Sequence, residues 1–249
     1  MTRRSRLLVA CLAVGWALPA AAADLVVSAA ASLSNALRDI GRRFDAAHPG
    51  DTVVFNFAAS DVLLAQIDKG APADVFASAD EETMDRAARN GRIDATSRRD
   101  FAANTLVIIV PKGAPAIASI QALATDRVRH VALGSPESVP AGRYAREVLQ
   151  QSGAWAAIEP KVVRAQNVRQ VLDYVARGEA EAGFVYRTDA ALMPDRVAVT
   201  AEPPAQRRVR YPIAVVADTR NRALADAFTR YVEGEEAQGI LRRYGFLAP

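Results

Sequence analysis

Residues that commonly carry out catalysis or bind metals are scarce in this chain, which has one cysteine and two histidines among 249 residues. His48 precedes a Pro-Gly turn, and His130 lies in a predicted strand beside Arg129, so both are expected to be structural. The sequence contains no HExxH helix, cysteine cluster, GxSxG turn or phosphate-binding P-loop. It therefore gives no support to a metalloenzyme or a hydrolase, and we assign no catalytic residue and no cofactor.

The apolar run at residues 7–18 is too short to span a bilayer. Three arginines precede it, and Pro19 and four alanines follow it. A basic start, a short apolar core and an Ala-x-Ala site are typical of a secretory signal peptide. We therefore expect residues 1–23 to be a signal peptide that is cleaved after Ala23, and the mature protein to be periplasmic.

Two other features of this segment bear on the export route. Leu8-Val9-Ala10-Cys11 resembles a lipoprotein cleavage box, although only four apolar residues would precede the cleavage. The pair Arg3-Arg4 is a feature of twin-arginine signals, although Arg6 stands where that signal prefers an apolar residue. The sequence favours soluble export and leaves open which of the two main export routes is used.

Removal of the signal peptide changes the charge and the redox chemistry of the chain. The whole chain has 31 basic and 28 acidic residues, and the first 23 residues contain three arginines, no acidic residue and the single cysteine. The mature chain therefore has 28 residues of each sign and no thiol. It has no disulfide and no basic excess that would favour binding to nucleic acid.

Strand and helix patterns alternate along almost the whole mature chain and restart near residue 128. Alternating strands and helices indicate an α/β fold with mostly parallel sheets, and two cycles of similar size indicate two lobes. No Gly/Ser-rich linker separates the cycles, so strands are expected to connect them. Pro212 places the last strand at an edge or at a crossing point. Strands are predicted at 25–29, 53–57, 74–77, 106–110, 128–133, 162–163, 183–186 and 209–216, and helices at 33–44, 62–67, 80–90, 141–149, 168–175, 224–232 and 240–246.

Small polar residues recur where a predicted strand ends and a helix begins. Ser32 is placed to cap the first helix, although an ordinary serine cap is the simpler interpretation of that residue alone. The first N–H groups of a helix have no partner within it, and the positive end of the helix dipole lies there, so these junctions are suited to an anion. Ligands of open α/β sheets bind beyond the carboxyl ends of the strands. Ser32 follows the first strand, and Ser60 follows the second. Ser138-Val139-Pro140-Ala141-Gly142 opens a helix, with Pro140 suited to its first turn, and Gln166-Asn167-Val168 opens another. Tyr186 ends a strand and is followed by Thr188.

Short motifs, each weak alone, occur along the mature chain in a specific order and spacing. These motifs are Ala30-Ala31-Ser32-Leu33, Phe57-Ala58-Ala59-Ser60, Gly70-Ala71-Pro72-Ala73-Asp74-Val75-Phe76, Ser78-Ala79-Asp80, Pro136-Glu137, Val139-Pro140-Ala141-Gly142, Tyr144-Ala145, Val168-Arg169, Gly183-Phe184-Val185-Tyr186, Tyr211-Pro212-Ile213-Ala214-Val215-Val216 and Arg243-Tyr244-Gly245-Phe246. In their order and spacing, and over nearly all of residues 24–249, the mature chain resembles the periplasmic molybdate-binding proteins of ABC transporters.

The resemblance implies a two-lobed periplasmic binding protein fold of type II, with two crossing strands as a hinge. Lobe I would comprise residues 24–105 plus 215–249, and lobe II residues 106–214. The protein would be a monomer that binds molybdate or tungstate, delivers it to an inner-membrane ABC permease and has no enzymatic activity. The ligand would be held by hydrogen bonds, without direct metal coordination, from the hydroxyl and amide of Ser32 and Ser60, the amides of Ala141 and Val168, and the hydroxyl of Tyr186.

Asp61 departs from the pattern of this family, which usually has an uncharged residue directly after the second serine. A carboxylate beside the site would weaken the binding of a dianion, unless it points to solvent as an acid in the first turn of its helix. Sulfate, phosphate or another oxyanion remains an alternative cargo, although hydrogen phosphate needs an acceptor that the five predicted groups do not supply. An enzyme acting on an anion in the same cleft is the alternative from another functional class.

Overall fold

The computed structural model describes residues 24–204 and 208–249, so the predicted signal peptide and its cleavage site lie outside the described residues. Ten strands are present in this part of the chain. In chain order they are β1 (Asp24–Ala30), β2 (Thr52–Ala58), β3 (Val75–Ala77), β4 (Arg99–Asn104), β5 (Leu106–Pro111), β6 (Val131–Gly134), β7 (Val162–Ala165), β8 (Ala182–Tyr186), β9 (Val197–Ala201) and β10 (Val209–Val215).

Within the same described residues, ten α-helices connect and cover these strands, and most of them follow directly from a strand. Three 3₁₀ turns also occur, at Ala31–Leu33, Ala95–Ser97 and Glu159–Lys161. The helices are α1 (Ser34–Ala47), α2 (Ser60–Asp68), α3 (Glu81–Arg89), α4 (Ile120–Leu123), α5 (Pro140–Gln151), α6 (Trp155–Ile158), α7 (Val168–Ala176), α8 (Arg187–Ala190), α9 (Arg222–Glu233) and α10 (Glu235–Arg243).

The strands form two separate five-stranded sheets, in the orders β2-β1-β3-β10-β4 and β7-β6-β8-β5-β9. In the first sheet β1 pairs in parallel with β2 and β3, whereas β10 is antiparallel to β3 and β4. The second sheet repeats this mixture, with β6 parallel to β7 and β8, and β5 antiparallel to β8 and β9. The two-lobed α/β prediction is confirmed, and both sheets are mixed.

The chain passes between the sheets at two places, at Thr105 between β4 and β5, and between β9 and β10. Along its length, β10 pairs with strands of the first sheet, although the sequence prediction assigned residues 209–214 to lobe II. We therefore use lobe I and lobe II for the parts built on the first and second sheet, so that β10 belongs to lobe I. The lobe boundaries at 105/106 and 214/215 stay a prediction.

Pro212 lies in the interior of the first sheet rather than at its edge. The sheet accommodates it because the pairing of β10 with β4 shifts register between Tyr211 and Pro212. The carbonyl of Pro212 still accepts a hydrogen bond from the Ser78 amide, at 2.9 Å. A bulge at this position lets a residue without an N–H donor occupy a central strand.

Apolar residues of the strands meet apolar helix faces on both sides of each sheet. All residues of β5 except the last are buried, as predicted for a continuous apolar run. One large apolar cluster extends through both lobes, and a smaller one lies between α2, α3 and the first sheet. Among the described residues, no helix has the length and apolar character needed to cross a membrane.

Candidate functional site

A small cavity lies where the two lobes meet, and all five predicted site residues line it. Lobe I contributes the ends of β1 and β2 with the turns that follow them, and lobe II contributes the first turns of α5 and α7 and the end of β8. The sequence therefore identified residues that the fold brings together from distant parts of the chain. The lining residues are Ala30, Ala31, Ser32, Ala58, Ala59, Ser60, Ala79, Val139, Pro140, Ala141, Asn167, Val168 and Tyr186.

Ser32 does not cap the first helix, which corrects the sequence prediction. A 3₁₀ turn spans Ala31–Leu33 and α1 begins only at Ser34, with no side-chain cap on either. The Ser32 hydroxyl instead lies 3.2 Å from the hydroxyl of Tyr211 on β10. Its side chain is therefore held by a residue 179 positions away, and local sequence rules do not reveal such a partner.

Ser60 is the first residue of α2 and is completely buried. Its hydroxyl oxygen accepts a hydrogen bond from the Ala79 amide at 3.0 Å. The carbonyl of the same residue, Ala79, accepts a weak bond from the Tyr186 hydroxyl at 3.4 Å. Ala79 thus connects one predicted ligand in lobe I with another in lobe II.

Lobe II presents backbone amides at the starts of two helices. Pro140 is the first residue of α5, as the sequence predicted, and it leaves the Ala141 N–H in the first turn without an acceptor in the helix. The Asn167 side chain caps α7 by accepting the amides of Arg169 and Gln170. The Val168 N–H in the first turn likewise has no intrahelical acceptor.

No charged side chain belongs to the set of described residues that line the cavity. Burial raises the pKa of the Tyr186 phenol well above its ordinary value, so its hydroxyl keeps its proton. The lining therefore offers O–H and N–H donors together with the positive ends of α2, α5 and α7. Such an arrangement suits a small anion that needs many hydrogen-bond donors and no proton acceptor.

Asp61 does not point to solvent, so the solvent-facing alternative that the sequence analysis gave for this residue is wrong. It is buried and forms ion pairs with Arg86 of α3 and with Arg143 of α5, the latter at 2.8 Å, and it accepts a hydrogen bond from the Thr83 hydroxyl. Because two arginines neutralise this carboxylate, its charge does not act alone on the neighbouring cavity.

Arg143 also binds Asp80 through Nε at 3.1 Å and a terminal nitrogen at 2.6 Å, so one buried guanidinium of lobe II serves two carboxylates of lobe I. Burial lowers the pKa of Arg143, but the charges and hydrogen bonds of Asp80 and Asp61 outweigh burial and raise it. The arginine therefore stays charged, and the contact joins the two lobes beside the cavity.

Arg169, the second residue of α7, makes another contact between the lobes. It donates to the Ser32 carbonyl at 2.9 Å and to the Asn35 side chain at 2.8 Å in lobe I. Its Nε donates at 2.6 Å to the buried Asp189, which in turn accepts the Tyr186 amide at 3.1 Å. This network connects the backbones of two predicted ligands, Ser32 and Tyr186.

The sequence analysis assigned no supporting role to the residues behind the lining, although two of them, Arg169 and Tyr211, lie in motifs of the resemblance. These residues are Asn104, Arg143, Arg169 and Tyr211. A signal for one of them was present, because a carboxylate at position 61 beside an anion site favours a neighbouring cation, and Arg143 lies in the first turn of a helix of the other lobe. For Tyr211 and Asn104 the sequence shows no such signal, since their hydrogen bonds join distant parts of the chain.

The two histidines lie away from the cavity. His48 stacks on Phe44 and its Nδ1 lies 2.9 Å from the Phe44 carbonyl, whereas His130 is at the surface beside Glu181. Within residues 24–204 and 208–249, no three histidine, cysteine, aspartate or glutamate side chains are grouped for a metal ion.

Comparison with known proteins agrees with this architecture. A family model described as bacterial extracellular solute-binding protein matches residues 25–247. A molybdate-binding protein of Escherichia coli (strain K12) is 41% identical over 233 residues, covering 89% of this chain and 88% of that protein.

Solved structures of other binding proteins share this fold. The periplasmic molybdate-binding protein of Azotobacter vinelandii has a TM-score of 0.78 at 26% identity, covering 90% of this chain and 99% of that one. A sulfate-binding protein of Mycobacterium tuberculosis H37Rv also has a TM-score of 0.78, at 20% identity, with coverages of 91% and 87%. At that identity the second likeness concerns the fold alone.

Proposed function

The chain belongs to the bacterial extracellular solute-binding proteins, and from this membership we propose that it captures molybdate or tungstate and delivers it to an ABC importer. The observation that supports this most is the cavity between the lobes, whose lining has hydrogen-bond donors and no charged side chain. Relatives that are named as molybdate-binding proteins cover nearly the whole chain.

We propose that the anion is held by the hydroxyl and amide of Ser32 and of Ser60, the amides of Ala141 and Val168, and the hydroxyl of Tyr186. The Tyr186 proton then leaves its weak bond to the Ala79 carbonyl and turns to the anion. Support comes from their convergence on one cavity and from their burial, since each is at most 4% exposed. A buried donor that faces an anion gives a stronger hydrogen bond than a neutral pair does. The metal centre of the cargo makes no direct bond to the protein.

The chain binds its cargo and leaves it chemically unchanged in this proposal. The cavity lining presents no carboxylate, imidazole or amine to act as a base among its described residues. The expected partners are the oxyanion and an inner-membrane permease, and the expected state is a monomer that does not bind nucleic acid.

Competition calorimetry with four oxyanions tests the choice of cargo. Molybdate, tungstate and sulfate are all tetrahedral dianions, so size has to separate them. Because sulfate is smaller, some hydrogen bonds from buried donors in a molybdate-sized cavity would be too long. Each hydrogen bond that is not made reduces the free energy of binding by about 1–3 kcal/mol. We expect molybdate and tungstate to bind tightly and alike, and sulfate and phosphate to bind weakly. Sulfate that displaces molybdate at comparable concentration would overturn the assignment of cargo and leave the fold unaffected.

Export is tested separately by the intact mass of protein recovered from the periplasm. We expect a chain that begins at Asp24 and carries no lipid, since the signal pattern places the cleavage after Ala23. A diacylglyceryl mass on Cys11 would show that the protein is anchored to the membrane instead.

A further inference from the structure

Asn104 at the end of β4 has a side-chain amide whose orientation is fixed by its neighbour. The Thr105 backbone N–H donates to Asn104 Oδ1 at 2.9 Å, and a backbone N–H can only donate. The other end of the amide is therefore the NH₂ group. It donates to Thr188 Oγ1 at 2.8 Å and to the Tyr211 hydroxyl oxygen at 3.2 Å.

Tyr211 is completely buried, and within the described part of the chain its hydroxyl has two hydrogen-bond partners, Asn104 and Ser32. Because Asn104 donates to it, its own proton has one acceptor within reach, which is Ser32 Oγ at 3.2 Å. A buried hydroxyl proton without an acceptor is costly. Burial also raises the pKa of Tyr211 well above its ordinary value, so the phenol keeps this proton.

The Ser32 hydroxyl therefore accepts from Tyr211, and its own proton is free to be donated elsewhere. Ser32 lines the cavity, where an anion offers the acceptor. Ser60 has the same arrangement, because its oxygen accepts the Ala79 amide and its proton is free. In both serines a donor from the protein occupies the oxygen and leaves the proton for the ligand.

We propose that Tyr211, held by Asn104, is a positioning residue that keeps the Ser32 hydroxyl proton directed into the cavity. The inference rests on the proposed function, since it assumes that an oxyanion occupies the cavity. It extends that function to two residues that do not line the cavity. It also gives a direction to each hydrogen bond, from Asn104 to Tyr211, from Tyr211 to Ser32, and from Ser32 to the anion.

We call this series of hydrogen bonds, from Asn104 through Tyr211 to Ser32, the relay. A double-mutant cycle with molybdate as the probe tests it. Tyr211→Phe removes the hydroxyl but keeps the ring, which packs edge-on against Tyr186 and Phe246 with centroids 5.8 and 5.5 Å away. We expect Tyr211→Phe to weaken molybdate binding about threefold to tenfold when Ser32 is present and to have no effect in a Ser32→Ala background. Tyr244→Phe, which removes a phenol bonded to Asp39 away from the cavity, is the matched control and leaves affinity unchanged.

Asn104→Asp is a second variant, which reverses the direction of the hydrogen bonds in the relay while the side chain at position 104 keeps its size. A carboxylate oxygen in place of the NH₂ group accepts the Tyr211 proton, so Ser32 must donate to Tyr211 and its proton turns away from the anion. We expect a larger loss of affinity than with Tyr211→Phe. In the Ser32→Ala background only the smaller effect of the added negative charge remains.

The outcomes separate the inference from the proposed function. Failure of the unmodified protein to bind molybdate overturns both. Binding by the unmodified protein with equal losses from Tyr211→Phe in the two backgrounds overturns the relay alone, because the loss then does not pass through Ser32. Thermal melting of each variant shows whether it is folded, and a Tyr211→Phe protein that melts like the parent and binds as tightly also overturns the relay.

Discussion

At the scale of single residues, the hydroxyl groups of two serines determine which hydrogen bonds the cavity can donate to an anion. Ser32 and Ser60 come from different turns of lobe I, yet both are buried and both hydroxyl oxygens lie within hydrogen-bond distance of a protein donor. With Tyr211 donating to Ser32 as proposed above, neither serine needs to reorganise a neighbour in order to donate. Pre-set donors of this kind give affinity because little freedom is lost on binding.

Ser32→Ala and Ser60→Ala should each weaken molybdate binding by roughly 1.5–3 kcal/mol, the usual contribution of a hydrogen bond to a charged group. Isothermal calorimetry measures the change. Ser152→Ala serves as the control, since that hydroxyl bonds a helix carbonyl at the end of α5 and should leave affinity unaltered. If both cavity variants bind like the parent, the two hydroxyls are not ligands.

Asp61→Asn should reduce stability without reducing affinity. The change leaves Arg86 and Arg143 short of one carboxylate partner, which should lower the free energy of unfolding by about 1–3 kcal/mol. It also removes a negative charge from beside the cavity, so molybdate should bind equally or more tightly. Denaturant unfolding and calorimetry give the two quantities, with Asp85→Asn in a surface ion pair as the control. A loss of affinity as large as that of Ser60→Ala would mean that Asp61 supports binding directly.

At the scale of elements, the first turns of helices set where the backbone donors stand. The start of α5 lies against the end of β6, and glycine at two positions permits this closeness. A Cβ on Gly142 would lie 1.8 Å from the Gly134 carbonyl oxygen. The position of the Ala141 amide therefore depends on a contact that no other residue type allows.

Gly142→Ala should push the start of α5 away from β6, weaken molybdate binding and lower the melting temperature. Gly239→Ala in α10 is the matched control, because the nearest atom to its new Cβ is an arginine nitrogen 3.8 Å away. That variant should be neutral or more stable by about 0.5–1 kcal/mol, since alanine favours helix. Equal behaviour of the two variants would show that the closeness of α5 to β6 is unimportant.

The elements also show what the sequence was able to predict. The strand β5, with continuous apolar residues, matches its prediction closely. The helix α2, predicted at 62–67, extends only slightly further at each end and is followed by Gly70 with a φ of 85°. β4 and β9 were not predicted, because β4 begins with Arg99 and Asp100 and β9 is only partly buried. These two strands form because they pair with strands that are distant in sequence, whereas their own alternation of apolar and polar residues is weak.

In the candidate site, too, some residues could be predicted from the sequence and others could not. Residues that line the cavity follow strand ends, and this local pattern can be read from one sequence. The supporting residues bond across long separations, as Arg143 does with Asp61 and Tyr211 does with Ser32. Such contacts depend on the packing of whole lobes, which periodicity does not describe.

For the whole molecule, the cavity is formed only when the two lobes are together. Arg143 and Arg169 both belong to lobe II and both donate to acceptors of lobe I. Two lobes that share a ligand close around it through the segments that connect them. Ligand, closure and stability are therefore coupled.

Saturating molybdate should raise the melting temperature and reduce the radius of gyration. A ligand present at a thousandfold excess over its Kd stabilises by about 4 kcal/mol, which for a chain of this size is a rise on the order of ten degrees. Thermal scanning and small-angle scattering measure the two effects, with sulfate at equal concentration as the control. Unchanged scattering at saturation would argue against a hinge.

The uncharged lining described above has a consequence for the heat of binding. Among the described residues that form it there is no carboxylate, imidazole or amine, and burial raises the pKa of Tyr186 well above its ordinary value. The cavity wall then neither takes up nor releases a proton when a dianion enters. Calorimetry in buffers of different ionisation enthalpy should give a single binding enthalpy, whereas a slope against buffer enthalpy would reveal a titrating group. Near neutral pH the loading of the cavity then follows the protonation of the cargo, and on acidification the carboxylates behind the lining contribute as well, among them Asp189, whose pKa is raised by burial.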